Sequence, residues 1–165
     1  MKTNGSFYVS LVFAALIGYF GYQWWFNPAR AVKQRLGEVA AALSVPDSES
    51  ETAHVVRLAQ LRSYLADDLR VRAGSNEIGS RDAAVAAAGG WKPEPGSGDV
   101  QFADVQVFIE SETAAHAYLA VELTRRDRDS GQPTVDSRDA SVSLEKRNGA
   151  WLVIVAESKE MPGRP

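Results

Sequence analysis

The sequence predicts an α+β fold: a long apolar helix, then three helices, then a curved antiparallel sheet that those three helices cover. Two observations carry the sheet and one carries its cover. Between residues 99 and 158, Val105, Val107 and Ile109 alternate with polar or mixed neighbours, as do Ala117, Leu119, Val121 and Leu123, and then Ala140, Val142 and Leu144. Alternation at period two puts one apolar row per strand on a common side. The fourth run, residues 151–155, is apolar without alternation, which predicts a strand covered on both faces; Asn148-Gly149, both tolerant of positive φ, joins it to its predecessor as a hairpin. Residues 27–66 instead carry apolar residues at helical spacing between capping signals, so they supply the cover.

Taken in order, residues 7–26 hold no charged side chain, and as a helix a run of roughly 20 residues spans ~30 Å, the thickness of a bilayer core. Tyr19, Tyr22, Trp24 and Trp25 gather at its C-terminal end, where amphipathic rings favour the membrane interface. We read a retained single-pass anchor. The competing reading is a signal peptide cleaved near Ala29-Arg30-Ala31, but the run is long for a signal and Trp24-Trp25-Phe26 is bulky before such a cut. Lys2 flanks one side, and Arg30, Lys33 and Arg35 the other, which by charge counting places the domain in the cytoplasm. A short basic start before an apolar run is nonetheless the build of a signal anchor, which exports the domain C-terminal to it, and the exported (periplasmic or extracellular) side is our expectation.

Asn27-Pro28 reads as N-cap and first helical residue, with Val32, Leu36, Val39 and Leu43 forming one face of a helix that ends near Ser44-Val45-Pro46. Ser48-x-x-Glu51 has capping-box form and opens a second helix, faced by Val55, Leu58, Leu61 and Leu65, that runs to about Ala66. Residues 67–72 look like a short edge strand turning at Gly74-Ser75-Asn76. Ser80 caps a short third helix stopped by Gly89-Gly90. Residues 91–98 form a loop rich in Pro and Gly, and residues 125–134 a polar connection. The expected organisation is a tail over 1–6, an anchor over 7–26, one domain over 27–160 and a disordered tail over 161–165.

The chain has 165 residues, 45% hydrophobic and 24% charged, which are globular values. It contains no cysteine, excluding disulfides, zinc–thiolate sites and thiol nucleophiles. The net charge of −3 disfavours nucleic acid as a partner, since phosphate binding needs a surplus of Lys and Arg. No phosphate-cradling glycine loop, Gly-x-Ser-x-Gly or dinucleotide fingerprint is present, and no cofactor is expected. His54 has no histidine, cysteine or carboxylate at ligand spacing, so no metal site is expected either.

Three stretches carry a family resemblance: residues 61–71 with Asp67-Asp68, Ile78-Gly79-Ser80-Arg81-Asp82, and residues 144–153 with Lys146-Arg147-Asn148-Gly149-Ala150-Trp151. Over roughly residues 29–157 the chain resembles the nuclear transport factor 2-like superfamily, the cystatin-like cone that includes ketosteroid isomerase and scytalone dehydratase. The resemblance implies a curved sheet wrapped round helices, often with a pocket and with dimerisation through the sheet, but no single activity. Catalytic members similar to ketosteroid isomerase place an acidic general base where this chain has Ala73, which cannot abstract a proton. Tyr64 matches a tyrosine beside the pocket of those enzymes, and His116 and Tyr118 are the only echoes of the scytalone dehydratase type.

Among candidate site residues, His116, Tyr118 and Glu122 share one strand face, the pattern of an acid–base group with a carboxylate to orient it. The opposite face bears the apolar row, so His116 points away from the helices, together with Phe108, Gln106, Ser141 and Ser143. Aromatics among small polar residues suit a partner or homodimer face. Trp91 stands at the mouth of the expected cone, where with Tyr64 it would line a pocket or simply pin its loop. The expected function is a membrane-tethered, non-catalytic module that binds a protein partner or a small apolar ligand, as an accessory subunit of a membrane assembly. The alternative is an isomerase, dehydratase or hydrolase using Tyr64 or His116.

Overall fold

The computed structural model describes residues 4–158. In chain order they form α1 (Asn4–Trp25), α2 (Pro28–Leu43), α3 (Glu51–Tyr64), β1 (Leu65–Ala73), β2 (Asn76–Ile78), α4 (Arg81–Gly90), β3 (Val100–Ile109), β4 (Ala114–Arg126), β5 (Pro133–Arg147) and β6 (Ala150–Ser158). The sequence-based order of elements is thus the observed one. Residues 4–6, expected in a tail, belong to the first turns of α1, while the tail expected over 161–165 lies outside the described residues. α1 is long and apolar enough to cross a bilayer, and its described side chains from Val9 to Trp24 are exposed.

Local chemistry accounts for the helix ends. Asn27 caps α2 by accepting from the Ala29 N–H at 3.0 Å, with Pro28 in the first turn, and Ser80 caps α4 through the Ala83 N–H at 3.2 Å. The cap of α3 is Ser50, accepting from the Ala53 N–H at 3.1 Å, and not Ser48, which sits in the preceding turn. The reason is Glu49, which must reach Arg57 and so fixes where the chain enters the helix. Its Oε1 accepts from Arg57 Nε at 2.6 Å, and its Oε2 lies 2.9 Å from His54 Nδ1. The buried Arg57 also donates to the Ala42 carbonyl at 2.9 Å, tying α3 to the open end of α2. The buried face of α3 therefore runs through Arg57 and Leu61, and Val55, expected on that face, is exposed.

The six strands make one sheet in the order β2-β1-β6-β5-β4-β3. β3 to β6 form the expected antiparallel meander, turned at Gly149 with φ +81°. β1 is not the edge strand that its acidic start suggested. It lies inside the sheet, parallel to β6, with β2 outside it. Leu65 already belongs to this strand, because α3 passes into β1 without a loop.

Two bulges decide which residues face inwards. In β3 the register shifts between Ala103 and Gln106, around Asp104 at φ +51°, so Phe102 and Val105 both pack against the core although three residues apart. In β6 Val153 pairs with Leu144 and Val155 with Ser143, leaving Ile154 without a partner. That extra residue, and not cover on both faces, explains the missing alternation over residues 151–155. The core then unites Val32, Leu36 and Val39 of α2 and Leu61 of α3 with Leu65, Leu69, Ala117, Leu144 and Val153 of the sheet.

Arg57 and Glu49 each keep only 9% of their side-chain surface exposed, so removing one partner strands a charge. Arg57→Met is expected to lower stability by about 3 kcal/mol in chemical unfolding of the full chain in detergent. The Arg57 hydrogen bond lowers the pKa of Glu49 from its ordinary 4.5 to about 2, against the opposing effect of burial. A depressed carboxylate pKa adds stability that is complete above 4.5 and disappears as the pH falls towards 2. Melting temperature against pH should therefore fall more steeply below pH 4.5 in the wild type than in Glu49→Gln.

Candidate functional site

Helix α4 determines the space beneath the sheet. Asp82 at its start pairs with Arg62 of α3, Arg81 pairs with Asp67 of β1, and Gly89 lets its far end approach α3 closely. A Cβ at Gly89 would lie 2.9 Å from Leu58 Cδ1. The residues that α4 turns towards the core are Ala84, Val85 and Ala88, and the two short ones, Ala84 and Ala88, face a hollow. They pack against the edge of the core without filling the space beside them, and a cavity of about 360 Å³ lies there. Its other walls are Leu36, Val39 and Leu43 from the C-terminal half of α2, Leu69 and Val71 of β1, and Val142, Val153 and Ala156. Trp91 and Phe102 also line it. Among the described residues, no ionisable side chain does.

The two predicted pocket residues are separated by the structure. Trp91 is the C-cap of α4 and lines the cavity. Tyr64 does not: it packs at the border of the core with the Arg35 guanidinium 4.6 Å above its ring. Ala73, at the position of the missing general base, is exposed at the end of β1. The acidic turn is occupied by ion pairs. Arg147 donates to both oxygens of Asp68, at 2.8 and 3.1 Å, and holds that carboxyl below its ordinary pKa. Phe102 was missed because the bulge at Asp104 shifts its phase relative to the visible Val105–Val107 row.

The opposite face of the sheet brings Phe108, His116 and Tyr118 together, as their alternation implied. The rings of His116 and Tyr118 are 4.7 Å apart, those of Phe108 and Tyr118 6.0 Å, both edge to face. His116 Nδ1 lies 3.1 Å from Ser143 Oγ on β5. Glu122 does not orient the histidine; it sits six residues further along β4, about 20 Å away at strand rise, opposite Ser137 and Gln101. A groove of about 580 Å³ crosses this face past His116 and Tyr118, with Asp104, Asp139 and Glu157 around it. Glu157 is already paired with Arg72 at 3.2 Å. Among the described residues, no three potential ligands of the His, Cys, Asp and Glu type gather as a metal site would require.

No protein-family profile matches the chain, and no curated protein sequence does. Solved structures do. A nuclear transport factor 2-like protein of unknown function from Shewanella oneidensis aligns with a TM-score of 0.60 at 17% identity, over 81% of this chain and 99% of its own. A scytalone-dehydratase-like protein from Novosphingobium aromaticivorans gives 0.60 at 16%, over 80% and 83%. The CamKII hub homology domain of Chlamydomonas reinhardtii gives 0.62 at 12%, over 81% and 98%. The chain therefore has the nuclear transport factor 2-like, or cystatin-like, fold expected from its sequence. Identities this low establish the fold and no more.

The bulge makes its own prediction. Asp104 adopts a left-handed conformation that only Gly, Asn and Asp accept cheaply. Asp104→Gly is expected to leave the unfolding free energy within about 0.5 kcal/mol, and Asp104→Val to lower it by roughly 1–2 kcal/mol, in equilibrium denaturation.

Proposed function

We propose that this chain is a membrane-tethered, non-catalytic binding module whose cone takes a small apolar ligand. The observation that carries the reading is the cavity under α4, whose described walls are apolar throughout. Its volume of about 360 Å³ falls in the lower range of small-molecule sites. Such a space favours hydrocarbon-like molecules through burial at about 25 cal/mol per Å² of apolar surface. It supplies no charged group to give or take a proton, so affinity and not turnover is what it offers. The tether is α1, whose length and exposed apolar surface suit a bilayer. The outer face with Phe108, His116 and Tyr118 would then serve contact with a second protein or a second copy. Self-association there is in keeping with the likeness to a hub domain.

An enzyme using His116 finds less support, because its ring has a serine and aromatic neighbours but no orienting carboxylate. The test is displacement of N-phenyl-1-naphthylamine, a neutral fluorescent probe, from the full chain in detergent. Ala88→Phe, on a helix with no fully buried residue, should fill the cavity and weaken probe binding at least tenfold with the melting temperature preserved. His116→Ala should bind as the wild type does. Equal affinity in Ala88→Phe would remove the cavity from consideration, and substrate turnover lost in His116→Ala would favour the enzyme.

A further inference from the structure

A third concavity, of about 430 Å³, lies where α1 gives way to α2. Phe26, Asn27, Pro28, Arg30, Ala31 and Gln34 form one wall, and Lys146 and Trp151 of the β5–β6 hairpin the other. Among the described residues its lining holds two cations and no carboxylate. Arg35, Arg57, Arg62, Arg72, Arg81 and Arg147, by contrast, sit in ion pairs. Arg30 instead has its guanidinium 5.9 Å from the Trp24 ring, and Lys146 has its ammonium 6.0 Å from the Trp151 ring. An aromatic face holds a cation in place while leaving its N–H donors for another acceptor. The first N–H groups of α2 are already satisfied by Asn27, so the attraction for an anion rests on the two side chains.

We propose that this pocket binds the phosphate of an anionic phospholipid headgroup. The position selects the occupant. The pocket opens beside the last turn of α1, the turn whose aromatic residues belong at headgroup level when the helix spans a bilayer. Fixed basic side chains at that level attract anionic lipid. Arg30 forks onto two phosphate oxygens while Lys146 approaches from the hairpin, which would clamp the domain against the membrane surface in one orientation. This inference rests on the anchor in the proposed function but not on the apolar cavity.

The test uses the full chain in detergent with equimolar phosphatidylglycerol and phosphatidylcholine, counting retained lipids by native mass spectrometry. The wild type should hold phosphatidylglycerol at least fivefold over phosphatidylcholine. Arg30→Gln with Lys146→Gln should bring the ratio to parity, whereas Arg30→Lys with Lys146→Arg keeps it. Lys33→Gln, an exposed cation outside the pocket, should leave the preference in place; a loss as large as that of the double variant would mean diffuse charge and overturn the pocket. Inorganic phosphate binding without lipid preference would overturn the headgroup assignment. Carbonate extraction of the chain from phosphatidylcholine vesicles separates the two claims. Release into the supernatant removes the anchor and this inference with it, while retention without lipid preference removes this inference alone.

Discussion

One constraint governs this molecule: the bent meander of β3 to β6 exposes a continuous apolar row on its inner side, and something must cover it. Ala115, Ala117 and Leu119 of β4, Val142 and Leu144 of β5, and Trp151 and Val153 of β6 are all buried. Helix α2 covers most of that row with Val32, Leu36 and Val39, and Leu61 of α3 closes it on another side. At roughly 1.5–3 kcal/mol for each large side chain removed from water, this burial is the main favourable term in folding the domain. What remains uncovered is equally informative. α4 offers alanines where leucines would fill the space, and the resulting cavity is a consequence of composition as much as of topology.

The helices stay over the sheet because polar links hold their ends where apolar packing alone would let them slide. Arg57 connects the end of α2, the turn bearing Glu49 and the body of α3 in one buried cluster. Ser44 adds a second connection, donating to the Val100 carbonyl at 3.1 Å and accepting from the Val100 N–H at 2.9 Å, which joins the end of α2 to the start of β3. Gly98 allows that junction: a Cβ there would stand 2.3 Å from the Val45 carbonyl oxygen. Both links gather at the C-terminal end of α2, against whose last two turns the cavity is built, whereas the basic pocket lies at the opposite end of the same helix beside α1. The two candidate sites are therefore physically separate and can succeed or fail independently.

Much of this fold is legible in the chain because its signals are local. Asn27-Pro28, Ser80 and Asn148-Gly149 act through groups within three residues of themselves, and each does what its chemistry implies. The misplaced features depend on distant partners. Ser48 has the form of a cap, yet Ser50 takes that place because Glu49 answers to Arg57 eight residues on. β1 has an acidic, edge-like beginning, but Asp67 and Asp68 find Arg81 and Arg147 from elsewhere, which lets the strand sit inside the sheet beside β6. Bulges erase the alternation by which strands are recognised, so Phe102 went unnoticed as a core residue and residues 151–155 looked covered on both sides. For the sites, the common outward face of Phe108, His116 and Tyr118 came directly from strand periodicity. The separation of Tyr64 from Trp91 did not, since it depends on a distant partner, the Arg35 guanidinium of α2 that lies over the Tyr64 ring.

A dry, apolar hollow beneath α4 is the claim on which the functional account depends. Diffraction from crystals of the full chain under xenon pressure addresses it most directly, because xenon enters apolar space that water leaves empty. The account predicts strong xenon density among Leu36, Leu69, Val142 and Ala88 with the surrounding backbone unmoved. Ordered water in that space, or α4 collapsed onto the sheet with no room for a xenon atom, would contradict it.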